Sequence, residues 1–266
     1  MALSKFESSI SQEFRATIIS EIAQIEEKHY VEVLFAIESG SRAWGFPSPD
    51  SDYDVRFVYQ HPKDWYLSLL PKRDVIELPI DDELDISGWD LRKTLNLLLK
   101  PNPVALEWIR SPIHYKWSPK ADLLNQFAVK LNATVASHYH YWHLGQGQWN
   151  RSIADKSEVK LKKYFYVLRP ALALCWLRNL KDKPLPMNLQ ELVNGLTPFL
   201  EPDFINLIGE LIEQKSVTRE LGLGPRIAEL DKFIVSEFGQ GQNAPSNSIQ
   251  QGLRQEADEL FLKLVS

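Results

Sequence analysis

Cysteine is nearly absent from this 266-residue chain: Cys175 stands alone, inside the apolar stretch Ala171-Leu172-Ala173-Leu174-Cys175-Trp176. A disulfide framework within one chain is therefore excluded, and Cys175 is read as a buried, inert thiol. The chain lacks zinc-ligand spacing as well. His138, His140 and His143 come close together, but on a helix 138 and 140 point to different faces and nothing completes a tetrahedral set. They are expected in the core or on the surface. No Gly-x-Gly-x-x-Gly, Walker A motif or Ser-His-Asp order occurs, which removes the usual dinucleotide, P-loop and serine-hydrolase readings. There is no apolar N-terminal signal and no run of eighteen apolar residues, so the expectation is a cytoplasmic protein without a membrane partner. A net positive charge is also lacking. A net charge of −5 and a pI near 5.7 argue against a chain-wide basic surface for duplex nucleic acid.

What is present is an ordinary globular composition, 44% hydrophobic and 24% charged, with room for one large domain or two modest ones. Residues 40 to 54 are the most informative stretch. A Gly40-Ser41 turn follows the apolar run Val33 to Ile37, and Asp52-Tyr53-Asp54 opens a second run, Val55 to Tyr59. Strand residues two apart share a face, so Asp52 and Asp54 aim at one spot with Tyr53 turned away. Clustered carboxylates repel unless a cation lies between them, and hard ions such as Mg²⁺ prefer oxygen ligands. The turn offers backbone N–H groups and a hydroxyl to a phosphate, and a side chain at Gly40 would block its approach. The stretch describes a site for a metal-bound triphosphate. Arg56 shares the face of the two acids and either neutralises a phosphate or pairs with an acid.

This pattern resembles the nucleotidyltransferase superfamily of DNA polymerase beta: Gly-Ser, then Asp-x-Asp, then a third acid on a later strand. Gly40-Ser41, Arg42, Gly45 and Asp50-Ser51-Asp52-x-Asp54 carry the likeness. Gly-Ser-Arg-Ala-x-Gly, Ser-Asp-Tyr-Asp-Val-Arg-Phe, Leu-Asp-Ile-x-x-Trp-Asp and Lys-Lys-Tyr-Phe-Tyr-x-Leu-Arg-Pro extend it toward bacterial and phage nucleotidyltransferases linked to RNA repair. The resemblance implies Asp85 as third acid, with Asp90 the next choice. It implies Asp52, Asp54 and Asp85 as catalytic residues and ligands of Mg²⁺ or Mn²⁺, and Gly40, Ser41 and Arg42 as nucleotide-binding. Relatives often contact the triphosphate and base with a lysine and an aromatic from a helical domain. That implies Lys163, Tyr166 and Arg169 here, with Lys160 in reserve.

The pattern of elements predicts an α+β (α/β) catalytic domain on a small mixed sheet over 1–118, then an all-helical domain over 119–266. Helices are expected at 8–29, from Pro62 to about Leu70, at 91–99 and 104–109, then at 119–132, 133–147, 156–180, 188–195, 200–214 and 249–264. Strands are expected at 33–37, 55–59, 74–78 and 84–89, with an acidic turn at Asp81-Asp82 and a polar linker over 239–248. Gly222-Leu223-Gly224-Pro225 reads as a turn. A basic cluster runs from Arg151 to Lys183, and on the expected helix Lys162, Tyr166 and Arg169 share one face while Lys156, Lys160 and Lys163 share another. The expected activity is metal-dependent transfer of an NMP from an NTP to a hydroxyl of RNA, protein or a small molecule, releasing pyrophosphate. The alternative is a non-catalytic, nucleotide-binding regulatory or antitoxin-like partner.

Overall fold

A computed structural model describes residues 2–79, 83–131, 134–217, 222–241 and 252–266. In chain order the elements begin with α1 (Gln12–His29), β1 (Glu32–Glu38), α2 (Gly40–Ala43), β2 (Tyr53–Gln60) and α3 (Lys63–Tyr66). Next come β3 (Val75–Glu77), β4 (Leu84–Asp90), α4 (Leu91–Leu99), α5 (Pro103–Ile109), β5 (His114–Trp117) and α6 (Pro119–Val129). Then follow α7 (Thr134–Ser152), β6 (Glu158–Lys160), α8 (Lys162–Asn179), α9 (Leu189–Gly195), α10 (Pro202–Val217), β7 (Leu223–Pro225), α11 (Ala228–Gln240) and α12 (Leu253–Val265). The chain is thus a mixed α/β protein with a five-stranded mixed sheet and many helices. The acidic turn Asp81-Asp82 lies outside the described residues, as does the polar linker beyond Gly241.

Two compact units are present. One takes in the described residues of Ser8–Ala43, Asp52–Asn132 and Ser248–Ser266. Its sheet has the order β3-β4-β2-β1-β5. β2 and β4 run parallel, and the other neighbours are antiparallel. Central β1 is buried from Val33 to Glu38, as a strand covered on both faces must be. β2 begins with strict alternation, Tyr53, Val55 and Phe57 buried and Asp54 and Arg56 half-exposed, which fixes the face on which the acid stands. α1 starts at Ser11, whose hydroxyl accepts from Phe14 N–H, and buries Ile18, Ile22 and Ile25. α6 and α12 belong to this unit.

The other unit takes in the described residues of Met1–Glu7, Trp44–Ser51 and Ala133–Asn247. α8 is its spine, buried without a break from Val167 to Leu177, the pattern of a helix surrounded by others. Gly145 on α7 admits α11 closely, since a Cβ there would lie 2.4 Å from the Phe238 ring.

Several expected elements change. The helix expected from Pro62 to Leu70 is a single turn, because Leu67, Leu69 and Leu70 are 73%, 96% and 72% exposed and offer no packing to extend it. The helix expected from 156 starts at Lys162; Glu158–Lys160 form β6 and pair with β7, which replaces the turn expected at 222–225. Buried Val159 between exposed neighbours is a strand period too short to read from sequence. β5 and α11 were not expected.

Candidate active site

The Gly-Ser turn starts where β1 ends. Ser39 N–H donates to the Asp54 carbonyl at 2.8 Å, which ties the turn to the start of β2. Gly40 has φ +57°, and a Cβ there would sit 1.8 Å from Asp54 Oδ2. The left-handed backbone and the carboxylate each demand glycine. The sequence links this glycine to phosphate approach; the structure adds the acid as its steric neighbour. Ser41 is half-buried in the short α2.

Asp54 and Asp85 are register partners on the parallel strands β2 and β4, so both carboxylates leave the same face. Asp90, the other choice for the third acid, pairs with Tyr59 at the far end of β4. There it is buried, caps α4 by accepting from Arg92 N–H at 2.8 Å, and accepts from the Tyr66 hydroxyl at 2.7 Å. Asp52 is exposed and lies just before β2.

Arg56 joins the paired acids. Its Nη2 donates to Asp85 Oδ2 at 2.6 Å and to Asp54 Oδ1 at 3.3 Å. Its Nη1 donates to the carbonyls of Asp85 at 2.9 Å and Val55 at 3.0 Å. Burial pushes the Asp54 carboxyl up; Arg56 opposes this, and Asp85 and Asp52 add to it. Arg42 is buried. Its Nε donates to the Asp52 carbonyl at 3.2 Å, its Nη1 donates to Ser9 Oγ at 3.2 Å, and its guanidinium lies 4.0 Å from the Tyr53 ring centre. It braces the segment that carries Asp52.

Two residues of this neighbourhood escaped the sequence. Glu38 is fully buried, accepts from the Tyr115 hydroxyl at 2.6 Å and accepts from Asp54 N–H at 3.0 Å. Burial raises its carboxyl to about 7 even though both hydrogen bonds favour the charged form. An acid closing an apolar strand just before the turn was the available signal. Tyr115 gave none, because β5 was not seen.

The residues expected to contact nucleotide from the helical unit have varied settings. Lys160 is exposed on β6, off the helix, so the face expected for Lys156, Lys160 and Lys163 does not form. Lys163 Nζ lies 5.4 Å from the Tyr166 ring centre. α8 runs on through Pro170, and Arg169 is 3% exposed, donates from Nε to the Met187 carbonyl at 2.9 Å and stands over Trp44. Lys215, unmarked in the sequence, is buried against Phe46 and Phe165, donates to the Phe46 carbonyl, and is lowered to about 8 by burial and by Lys162.

The donor chemistry of Asp52, Asp54 and Asp85 suits a hard divalent ion, and the repulsion by Asp85 and Asp52 that adds to the effect of burial on Asp54 is what such an ion relieves. As arranged, no three acidic, imidazole or thiol side chains among the described residues form a set that could hold a metal. The cation beside Asp54 and Asp85 is the Arg56 guanidinium. Among the described residues no helix is long and apolar enough to cross a membrane.

Residues 14–263 match the RNA repair pathway DNA polymerase beta family (RlaP). The chain belongs to this family. For the RNA repair pathway DNA polymerase beta family the general chemistry is nucleotidyl transfer. An uncharacterized Bacillus subtilis (strain 168) protein, YcgL, is 46% identical over 225 residues, covering 83% of this chain and 84% of that one. A nucleotidyltransferase-like protein from Exiguobacterium sibiricum 255-15 aligns over 93% of this chain and 79% of its own at 9% identity, with a TM-score of 0.30.

Proposed function

We propose that this family member is a metal-dependent nucleotidyltransferase of the cytoplasm. It moves an NMP from an NTP such as ATP to a hydroxyl acceptor, with an RNA end the first acceptor to test. The observation that carries the reading is the register pairing of Asp54 with Asp85, against a Gly40 whose backbone leaves room only for the Asp54 carboxylate. In the reaction the acceptor oxygen attacks the α-phosphorus, a P–O bond forms, the bond to pyrophosphate breaks, and the hydroxyl proton passes to Asp85.

Asp52, Asp54 and Asp85 would hold Mg²⁺ or Mn²⁺, which supplies charge neutralisation and lowers the acceptor's pKa when bound. Ser41 and the backbone of the turn serve the terminal phosphate, while Glu38 and Arg42 hold Asp54 and Asp52 in place. Lys160, Lys163, Tyr166 and Arg169 enter the proposal as nucleotide contacts. The helical portion is then the module that sets nucleotide and acceptor choice, since this chemistry changes acceptors through appended parts.

The test incubates the protein, and an Asp52→Ala/Asp54→Ala variant, with each α-³²P-labelled NTP, Mg²⁺ or Mn²⁺, and pooled RNA. Label transfer by the wild type alone is the expected result, and the labelled species names the acceptor class. Failure of the wild type to bind any NTP would sink the reading.

A further inference from the structure

A guanidinium fork makes the two contacts that a bridging cation would make. Arg56 Nη2 reaches both Asp85 Oδ2 and Asp54 Oδ1, and Nη1 is anchored on two backbone carbonyls of the same strand pair. The Arg56 side chain is only 18% exposed, so its charge is weakly screened. A second cation approaching the same oxygens meets the charge of this one at close range. Arg42 and Asp52 also act on Asp54 electrostatically.

We propose that Arg56 is the intramolecular counter-ion of the Asp54–Asp85 pair and competes with the divalent ion for the same carboxylate oxygens. This rests on the nucleotidyltransferase reading and adds to it an internal ligand that sets metal affinity. The strength of metal binding is then a property of residue 56 as well as of the three acids. The fork matters in addition to the charge, because a lysine ammonium is a point donor that cannot reproduce two parallel guanidinium contacts.

The test is titration of the full chain with Mn²⁺ alone, followed by electron paramagnetic resonance, for wild type, R56Q, R56K and D54N. Circular dichroism confirms the fold and thermal melts run in parallel. R56Q is expected to bind Mn²⁺ at least ~10-fold tighter than wild type, by removal of a close like charge. R56K is expected to fall between the two, and D54N to bind more weakly. Without metal R56Q should melt below wild type, and Mn²⁺ should raise its melting temperature by more. A folded R56Q that binds Mn²⁺ no tighter than wild type, while D54N loses binding, overturns the inference and leaves the metal reading intact. R56K equal to wild type beside a tighter R56Q makes Arg56 a mere neighbouring charge and also overturns it. Absence of Mn²⁺ binding in both wild type and R56Q overturns the inference together with the reading beneath it. Should R56Q fail to fold, the R56K comparison decides: tighter binding than wild type supports the competition and equal binding overturns it.

Discussion

Asp54 N–H donates to Glu38 Oε1 at 3.0 Å, so the acid at the centre of the site hangs from a second acid that is fully buried. Glu38 titrates near 7 in the folded chain against an ordinary 4.5. The folded state therefore binds the proton more tightly than the unfolded one. Its contribution favours folding below pH 4.5, is lost as pH rises from 4.5 to 7, and then stays flat. The shift corresponds to about 3 kcal/mol at most. Glu38→Gln should flatten the fall in melting temperature across that window, measured in EDTA from pH 4.5 to 8. An unchanged slope would remove Glu38 as its source.

Gly40→Ala meets two obstacles at one position, a positive φ and the Asp54 carboxylate. The expected loss is about 1–3 kcal/mol of stability, and nucleotidyl transfer should drop further than melting temperature alone accounts for, because Asp54 must move. A variant with wild-type transfer at saturating metal would show that the carboxylate tolerates the displacement.

Arg178 forks onto Glu237, with Nη1 to Oε2 at 2.5 Å and Nη2 to Oε1 at 2.8 Å, and the Glu237 side chain is 5% exposed. Truncating the arginine strands a buried charge, so Arg178→Ala is expected to destabilise the chain by about 3 kcal/mol. The double variant Arg178→Met/Glu237→Leu should recover most of it in urea melts. Equal damage from the single and double changes would mean that packing, not charge, is at stake.

Lys160, Lys163 and Arg169 should separate by assay. Lys160→Ala and Lys163→Ala are expected to weaken NTP binding by about 3- to 10-fold, as loss of a charge-assisted contact does, with melting temperature unchanged. Arg169→Ala should lower melting temperature first, because it opens the buried contacts to Met187 and Trp44. Unaltered nucleotide affinity in both lysine variants would remove them from the proposal.

The sheet residues proposed to carry chemistry were legible because their signals are local. A strand, a turn and a two-residue period place Asp54 and Arg56 on one face without knowledge of the rest, while Asp52 lies just before the strand. Asp85 was named through the resemblance, and the register sets it opposite Asp54 on the neighbouring strand. Glu38 stayed hidden since its partner lies on β5, far along the chain, and four residues ending in Trp117 do not stand out as a strand. The helix over Lys156 to Lys160 was misread for the opposite reason. Lysine and glutamate favour helix locally, and pairing with Leu223–Pro225 overrides that preference. The hold of Arg169 on the Met187 carbonyl stayed hidden because a side chain's charge is visible in a sequence and its backbone partner is not.

β5 has a practical consequence for anyone cutting this protein into pieces. The superfamily motifs, from the Gly-Ser turn to the third acid, end with β4, which invites a recombinant fragment that stops there. Such a fragment would bare the hydrogen-bonding edge of β1 at Phe35 to Ile37 and take the Tyr115 hydroxyl from Glu38, and the Ser111 hydroxyl from the Glu38 carbonyl. An exposed central strand is a template for aggregation. Boundaries for expression, crystallisation or fusion should therefore lie beyond Trp117, and an insoluble shorter piece would report a torn sheet edge rather than a faulty active site.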